Sequence, residues 1–141
     1  MTIKEIQNEI IDEFSMFDDW MQRYEYIIEL GKNLPLIKEE YKIDENLIKG
    51  CQSKVWLQGE QNDDKIVFTA DSDAILTKGI IAILIRAFSN QKASDIINAD
   101  TEFIDEIGLK EHLSATRANG LVSMIKNIKM YALAFDAKNK N

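Results

Sequence analysis

The sequence predicts an α+β fold in which a small antiparallel β-sheet packs against several α-helices, and three observations point to it. Apolar residues recur at helical spacing near both ends of the chain. A middle stretch changes to β-branched and aromatic residues broken by turn-forming ones, and the segment after it is apolar nearly all round, the pattern of a helix enclosed by other elements. One domain spanning residues 1–141 is expected, because 141 residues of which 45% are hydrophobic can bury one sizeable core.

Thr2 and Glu5 form a capping-box pair, and Ile3, Ile6, Ile10 and Phe14 follow on one face, which predicts a first amphipathic helix ending near Phe14. Asp18 or Asp19 can cap a second helix with Trp20, Tyr24, Ile27 and Ile28 as its apolar stripe. Gly31 and Pro35 close it. Lys54 to Gln58 and Lys65 to Ala70 read as two arms of a hairpin around a turn at Gly59 to Asp64, with a short strand at Leu47 to Lys49 as a third member of the sheet. Ala74 to Phe88 is the expected central helix. Short helical segments are expected over Ala93 to Leu113, then a last helix from about Thr116 to Phe135 with Leu121, Ile125, Ile128, Ala132 and Phe135 on one face. The polar end, Asp136 to Asn141, reads as a frayed tail.

Charge is unevenly distributed. Residues 1–45 hold 12 acids and 5 bases, and the rest of the chain holds 12 of each, so the net charge of −7 belongs to the first third. An acidic chain without a basic stripe argues against nucleic-acid binding, which needs clustered Lys and Arg for phosphates. Protein partners or small molecules fit better, and the acids also read simply as the solvated faces of two helices. The most apolar stretch, Gly79 to Ile85, falls far short of the roughly 20 residues a membrane span needs. The N-terminus has no uninterrupted apolar run of the secretory kind, and there is no cysteine pair, so a cytoplasmic location is expected.

Cys51 is the only cysteine, in the run Gly50-Cys51-Gln52-Ser53-Lys54 between strand-like segments. Gly50 allows a sharp turn that presents the thiol, and polar neighbours follow it. Only a thiolate attacks sulfur, so a useful nucleophile needs a lowered pKa or an activating partner, and Lys49 and Lys54 are close enough in sequence to favour the anion. The alternative is an inert packing cysteine. A lone thiol with a single histidine, His112, cannot build a zinc site, an iron–sulfur site or a CxxC couple from the chain's own thiols. A carrier of a persulfide benefits from that solitude, since a second thiol nearby would discharge the carried sulfur. A Cys51–His112 hydrolase remains conceivable on residue types alone, with no motif for an oxyanion hole.

Several segments together resemble the SufE family of sulfur-acceptor proteins. Gly50-Cys51-Gln52-Ser53-Lys54-Val55-Trp56 is similar to that family's G-C-Q-S-x-V-W, and Arg23 to Gly31 with Leu34-Pro35 to its R-Y-x-x-[LI]-I-x-L-G-x-x-L-P. Asp71-Ser72-Asp73-Ala74 with Lys78-Gly79-Ile80, and Arg117-Ala118-Asn119-Gly120-Leu121, resemble two further family segments. The likeness runs in order over about residues 18–130. It implies an α+β fold like that of iron–sulfur scaffold proteins, with Cys51 as persulfide acceptor. It also implies a SufS- or CsdA-like cysteine desulfurase as donor, which keeps the pyridoxal phosphate (PLP) while this chain binds no cofactor or metal, and a downstream iron–sulfur scaffold as receiver. Gly50, Gln52, Ser53, Asp73 and Arg117 become candidates for supporting the loop or meeting the partner, with Asp73 and Glu29 as ion-pair or cap residues and Trp56 as a core anchor. The Cys51 loop is expected to be mobile relative to the sheet. A homodimer of the free protein is left open, as is a binding module of the same fold with an incidental cysteine.

Overall fold

A computed structural model describes residues 1–140. Helix α1, Ile3–Phe14, starts on the predicted capping box: the Glu5 backbone N–H donates to Thr2 Oγ1 at 3.1 Å and the Thr2 N–H to Glu5 Oε1 at 3.0 Å. Its buried face is Ile3, Gln7, Ile10 and Phe14. Gln7 takes the place expected of Ile6, and its burial is compensated by a 2.9 Å hydrogen bond from Nε2 to the Asp100 carbonyl. Helix α2, Trp20–Gly31, is capped by Asp19, whose carboxylate accepts from the Gln22 N–H. Of its predicted stripe only Ile27 is fully buried, while Trp20, Tyr24 and Ile28 are half-buried.

The sheet is antiparallel, in the order β1-β2-β3. Strands β1, Val55–Asn62, and β2, Lys65–Ser72, pair from Val55↔Ser72 to Asn62↔Lys65. The hairpin therefore turns only at Asp63 and Asp64, with Asp63 at a φ of 57°. This corrects the expected turn at Gly59 to Asp64. Gly59 lies within β1 because a Cβ there would sit 3.0 Å from both the Phe68 and Tyr131 rings; the residue makes room for packing and does not bend the chain. The expected strand at Leu47 to Lys49 is also corrected. Leu47 makes a single bridge to Trp56, and the left-handed Gly50 that follows ends the pairing. The true third strand, β3, is Gln91–Lys92 against the start of β2.

Helix α3, Ile75–Phe88, lies under the sheet with every residue buried except Ile75, Lys78 and Arg86, as its apolar composition requires. Gly79 brings its backbone against α2: a Cβ at Gly79 would overlap the Ile27 carbonyl oxygen, and one at Gly31 would lie 3.0 Å from the Gly79 nitrogen. Short helices α4, Ala93–Asn98, α5, Glu102–Glu106, and α6, Leu109–His112, lead to the long α7, Ala115–Asn139. Leu121, Met124, Ile128 and Ala132 form the buried stripe of α7, with Ile125 and Phe135 half-buried. Of the residues expected to fray, Asp136 to Asn139 instead continue the helix, and the Asn139 side chain accepts from Gln61 Nε2 at 3.0 Å, while Asn141 lies outside the described residues. Among the described residues no helix is long and apolar enough to cross a membrane.

One polar cluster joins three helices. Arg86 on α3 reaches Glu13 on α1 at 2.8 Å and Glu9 at 2.9 Å, and the Tyr26 hydroxyl on α2 donates to the same Glu13 carboxylate. The Arg86 hydrogen bond holds the Glu13 carboxyl below its usual range, while burial and the Glu13 charge push Tyr26 up to about 12. A depressed carboxylate contributes stability that is present above its unfolded pKa of about 4.3 and lost as the pH falls through the folded value. Glu13→Gln is therefore expected to cost about 1–2 kcal/mol at pH 7, discounted for partial exposure, and less near pH 3.5. Urea midpoints at the two pH values measure this, and a constant difference between variant and wild type would contradict it.

Candidate functional site: a sheltered thiol

The loop carrying Cys51 is tied at its base and turned by a glycine. The Ile48 N–H donates to the Val55 carbonyl at 2.8 Å, the Lys54 N–H to Asp73 Oδ1 at 3.0 Å, and the Asp73 N–H back to the Lys54 carbonyl at 3.2 Å. Gly50 has a φ of 93°, and a Cβ there would stand 2.5 Å from Ser123 Oγ on α7. The backbone angle calls for glycine, while the Ser123 hydroxyl could rotate away from an added methyl.

The chain then folds inward. Cys51 is half-buried, and its Sγ donates to the Gly120 carbonyl at 3.6 Å. Gly120 admits it: a Cβ at that position would lie 3.3 Å from the sulfur. A cavity of about 50 Å³ opens beside the thiol. Ile80 and Met124 give it apolar walls, Thr77 is buried in its lining, and Gln52, Ser53, Thr116 and Arg117 supply polar groups. Arg117 Nη1 donates to the Tyr24 hydroxyl at 3.3 Å, linking this wall to α2.

Burial pushes the Cys51 thiol above its ordinary pKa. The expectation that Lys49 and Lys54 favour the thiolate is not met, for both side chains are exposed and neither lines the cavity. In this conformation the sulfur is a neutral, sheltered thiol and a weak nucleophile.

Of the residues singled out from sequence, Gln52, Ser53 and Arg117 come to the cavity, Gly50 turns the loop into it and Asp73 fastens the loop's base. Glu29 makes an exposed ion pair with Lys32 at 3.1 Å and takes no part. Trp56 is half-buried, with Lys42 Nζ 5.5 Å from its ring centroid. His112 stacks on Trp20 with centroids 4.1 Å apart, and its Nδ1 contacts the Gly108 carbonyl at 2.9 Å. It does not line the cavity, so the hydrolase pairing has no geometric support. Sequence reasoning missed Gly120, Thr77 and Tyr24. Only Gly120 carried a signal, as a glycine inside a helical pattern, which costs helix stability unless something must approach it closely. Among the described residues no group of three or more His, Cys, Asp or Glu side chains could hold a metal ion.

The architecture is that of a known α+β class. A hypothetical protein from Thermus thermophilus, known from its solution structure, shares the fold with a TM-score of 0.76 over 92% of this chain and 94% of that one, at 13% identity. Within that class a sequence model for SufE, the Fe–S metabolism associated domain, matches residues 8–132. An uncharacterized SufE-like protein of Rhizobium meliloti (strain 1021) is 45% identical over 130 residues, covering 89% of this chain and 93% of its relative. Another uncharacterized SufE-like protein, from Rhizobium etli, is 44% identical over 127 residues and 86% of each chain. The chain belongs to the SufE family, whose domain is described as Fe–S metabolism associated.

Proposed function

We propose that this chain accepts persulfide sulfur on Cys51 from a PLP-dependent cysteine desulfurase and passes it to an acceptor in iron–sulfur cluster assembly. The observation that carries the proposal is the placement of the chain's one thiol at a loop, beside a small cavity that has hydrogen-bonding groups and an arginine in its wall. The Cys51 thiol gives up its proton, and the thiolate attacks the outer sulfur of the donor's cysteine persulfide. The bond between the donor's two sulfurs breaks, its cysteine leaves as a thiolate that takes up a proton, and the persulfide is now on Cys51. No net oxidation occurs.

Attack needs the two sulfurs in line and in contact, which the half-buried resting position of Cys51 does not offer. The loop swings outward on docking, and the return stroke carries the new persulfide into the cavity, away from stray thiols. The same burial and raised pKa would also suit a cysteine kept for packing in a module that only docks the desulfurase.

Intact-mass measurement after incubation with free cysteine and a desulfurase separates these readings. The wild-type chain is expected to gain the mass of one sulfur atom and to raise desulfurase turnover, and Cys51→Ser to do neither. An equal gain by Cys51→Ser, or none by the wild type while the desulfurase turns over, would overturn the proposal.

A further inference from the structure

Of the chain's three arginines, Arg86 is met by Glu9 and Glu13, and Arg23 donates to the Phe17 and Ile107 carbonyls. Arg117 is different. Among the described residues it has no carboxylate partner, and its guanidinium is held by a neutral phenol, the Tyr24 hydroxyl at 3.3 Å. It also occupies the first turn of α7, where its own N–H is taken by the capping Ser114. A cation there adds to the positive end of the helix dipole, and no acidic residue in that turn offsets it. This placement is unfavourable for the helix alone, and it leaves positive charge in the cavity wall.

The cavity wall holds further donors. Thr77 and Ser53 both lie in the lining, and each carries a hydroxyl that can donate to whatever occupies the space beside it. An anion attached to Cys51 would share that lining with Thr77, Ser53 and Arg117. The phenol that holds Arg117 is itself braced, since Tyr24 packs edge-on against Trp20 at 6.0 Å and 79°, and Trp20 stacks on His112.

We infer that Tyr24 is a positioning residue: its hydroxyl holds the Arg117 guanidinium in the cavity wall without neutralising it, so that the full charge serves a persulfide anion on Cys51. A carboxylate in its place would hold Arg117 equally well and cancel the field. The inference rests on the sulfur-acceptor reading for the identity of the anion, but the field at Cys51 can be measured without any sulfur.

The test compares alkylation of Cys51 in the full chain by anionic iodoacetate and by neutral iodoacetamide, at fixed pH and low salt. The ratio of the two rates reports the local charge. A change in loop exposure or thiolate fraction moves both reagents together and leaves the ratio unchanged. Tyr24→Phe keeps the ring against Trp20 and is expected to lower the ratio about threefold, the size of one exposed charged interaction. Arg117→Met should lower it at least as far, and the double variant no further than Arg117→Met alone. An unchanged ratio in Tyr24→Phe, or a double variant that falls by the product of the two single effects, would overturn the assignment. Persulfide lifetime on Cys51 after desulfurase loading should shorten in Tyr24→Phe. If the wild type takes up no sulfur, the sulfur-acceptor reading fails while the alkylation ratio still judges Tyr24. If loading succeeds and the ratio does not respond, only the role of Tyr24 falls.

Discussion

Gly79→Ala is expected to destabilise the protein by about 3 kcal/mol, the upper end for overpacking a well-filled interior. The added methyl would overlap the Ile27 carbonyl oxygen and stand 2.7 Å from Ile27 Cγ2. A backbone carbonyl cannot rotate away as a side chain can, so α2 must separate from α3. Alanine for glycine inside a helix brings about 1 kcal/mol in the opposite direction, and the clash exceeds that gain. A melting temperature about 10 °C lower should be visible by circular dichroism. A variant as stable as the wild type would show that the two helices can part without loss, and that the glycine contact is not what sets their spacing.

Gly120→Ala is expected to give a large effect of another kind, on reactivity. The methyl would meet Cys51 Sγ at 3.3 Å and the Cys51 Cα at 3.7 Å, tight for the sulfur but relieved by moving one loop. Here the helix gains up to about 1 kcal/mol from propensity, and the loop yields. Overall stability should therefore hold or rise slightly while Cys51 is pushed outward and loses its hydrogen bond to the Gly120 carbonyl. The alkylation rate of Cys51 should rise by about tenfold, corresponding to about 1.4 kcal/mol of lost shelter, and a carried persulfide should be lost faster to added thiol. Unchanged alkylation together with unchanged stability would mean that the thiol does not depend on the space at Gly120.

The two glycines show how differently the sequence can be read. Features that repeat or pair locally were legible: the Thr2–Glu5 capping box, the Asp19 cap, the apolar run of α3 and the second arm of the hairpin stand where local pattern puts them. Gly59 was misread as a turn because glycine marks both bends and tight packing, and only the Phe68 and Tyr131 rings reveal which applies. Strand β3 has two residues, too few for any alternation, and is recognisable only by its pairing with Lys65 and Ile66. The end of α7 read as a polar tail because its tie to Gln61 is 78 residues away in sequence.

The site was legible in the same divided way. The loop motif and its flanking Gly50 pointed to Cys51, and the residues beside it in sequence reached the cavity. Whether the thiol faced water could not be read, since its burial depends on Gly120 and Thr77, 69 and 26 residues downstream. Tyr24 belonged to an apolar stripe in sequence, and nothing local showed that its hydroxyl would meet Arg117.

The two hydrogen bonds between Lys54 and Asp73 bias the loop toward its inward form. If the proposed outward swing breaks both, at about 1 kcal/mol net each, and gives up the shelter of a half-buried small side chain for about 1 kcal/mol more, the outward form would lie about 3 kcal/mol above the inward one, with on the order of one molecule in a hundred open at any instant. A donor that recognises only the open form would bind about a hundredfold more weakly than its contacts allow. A donor that itself took hold of Asp73 would remove most of that handicap on arrival, and the loop would then open where a sulfur is waiting.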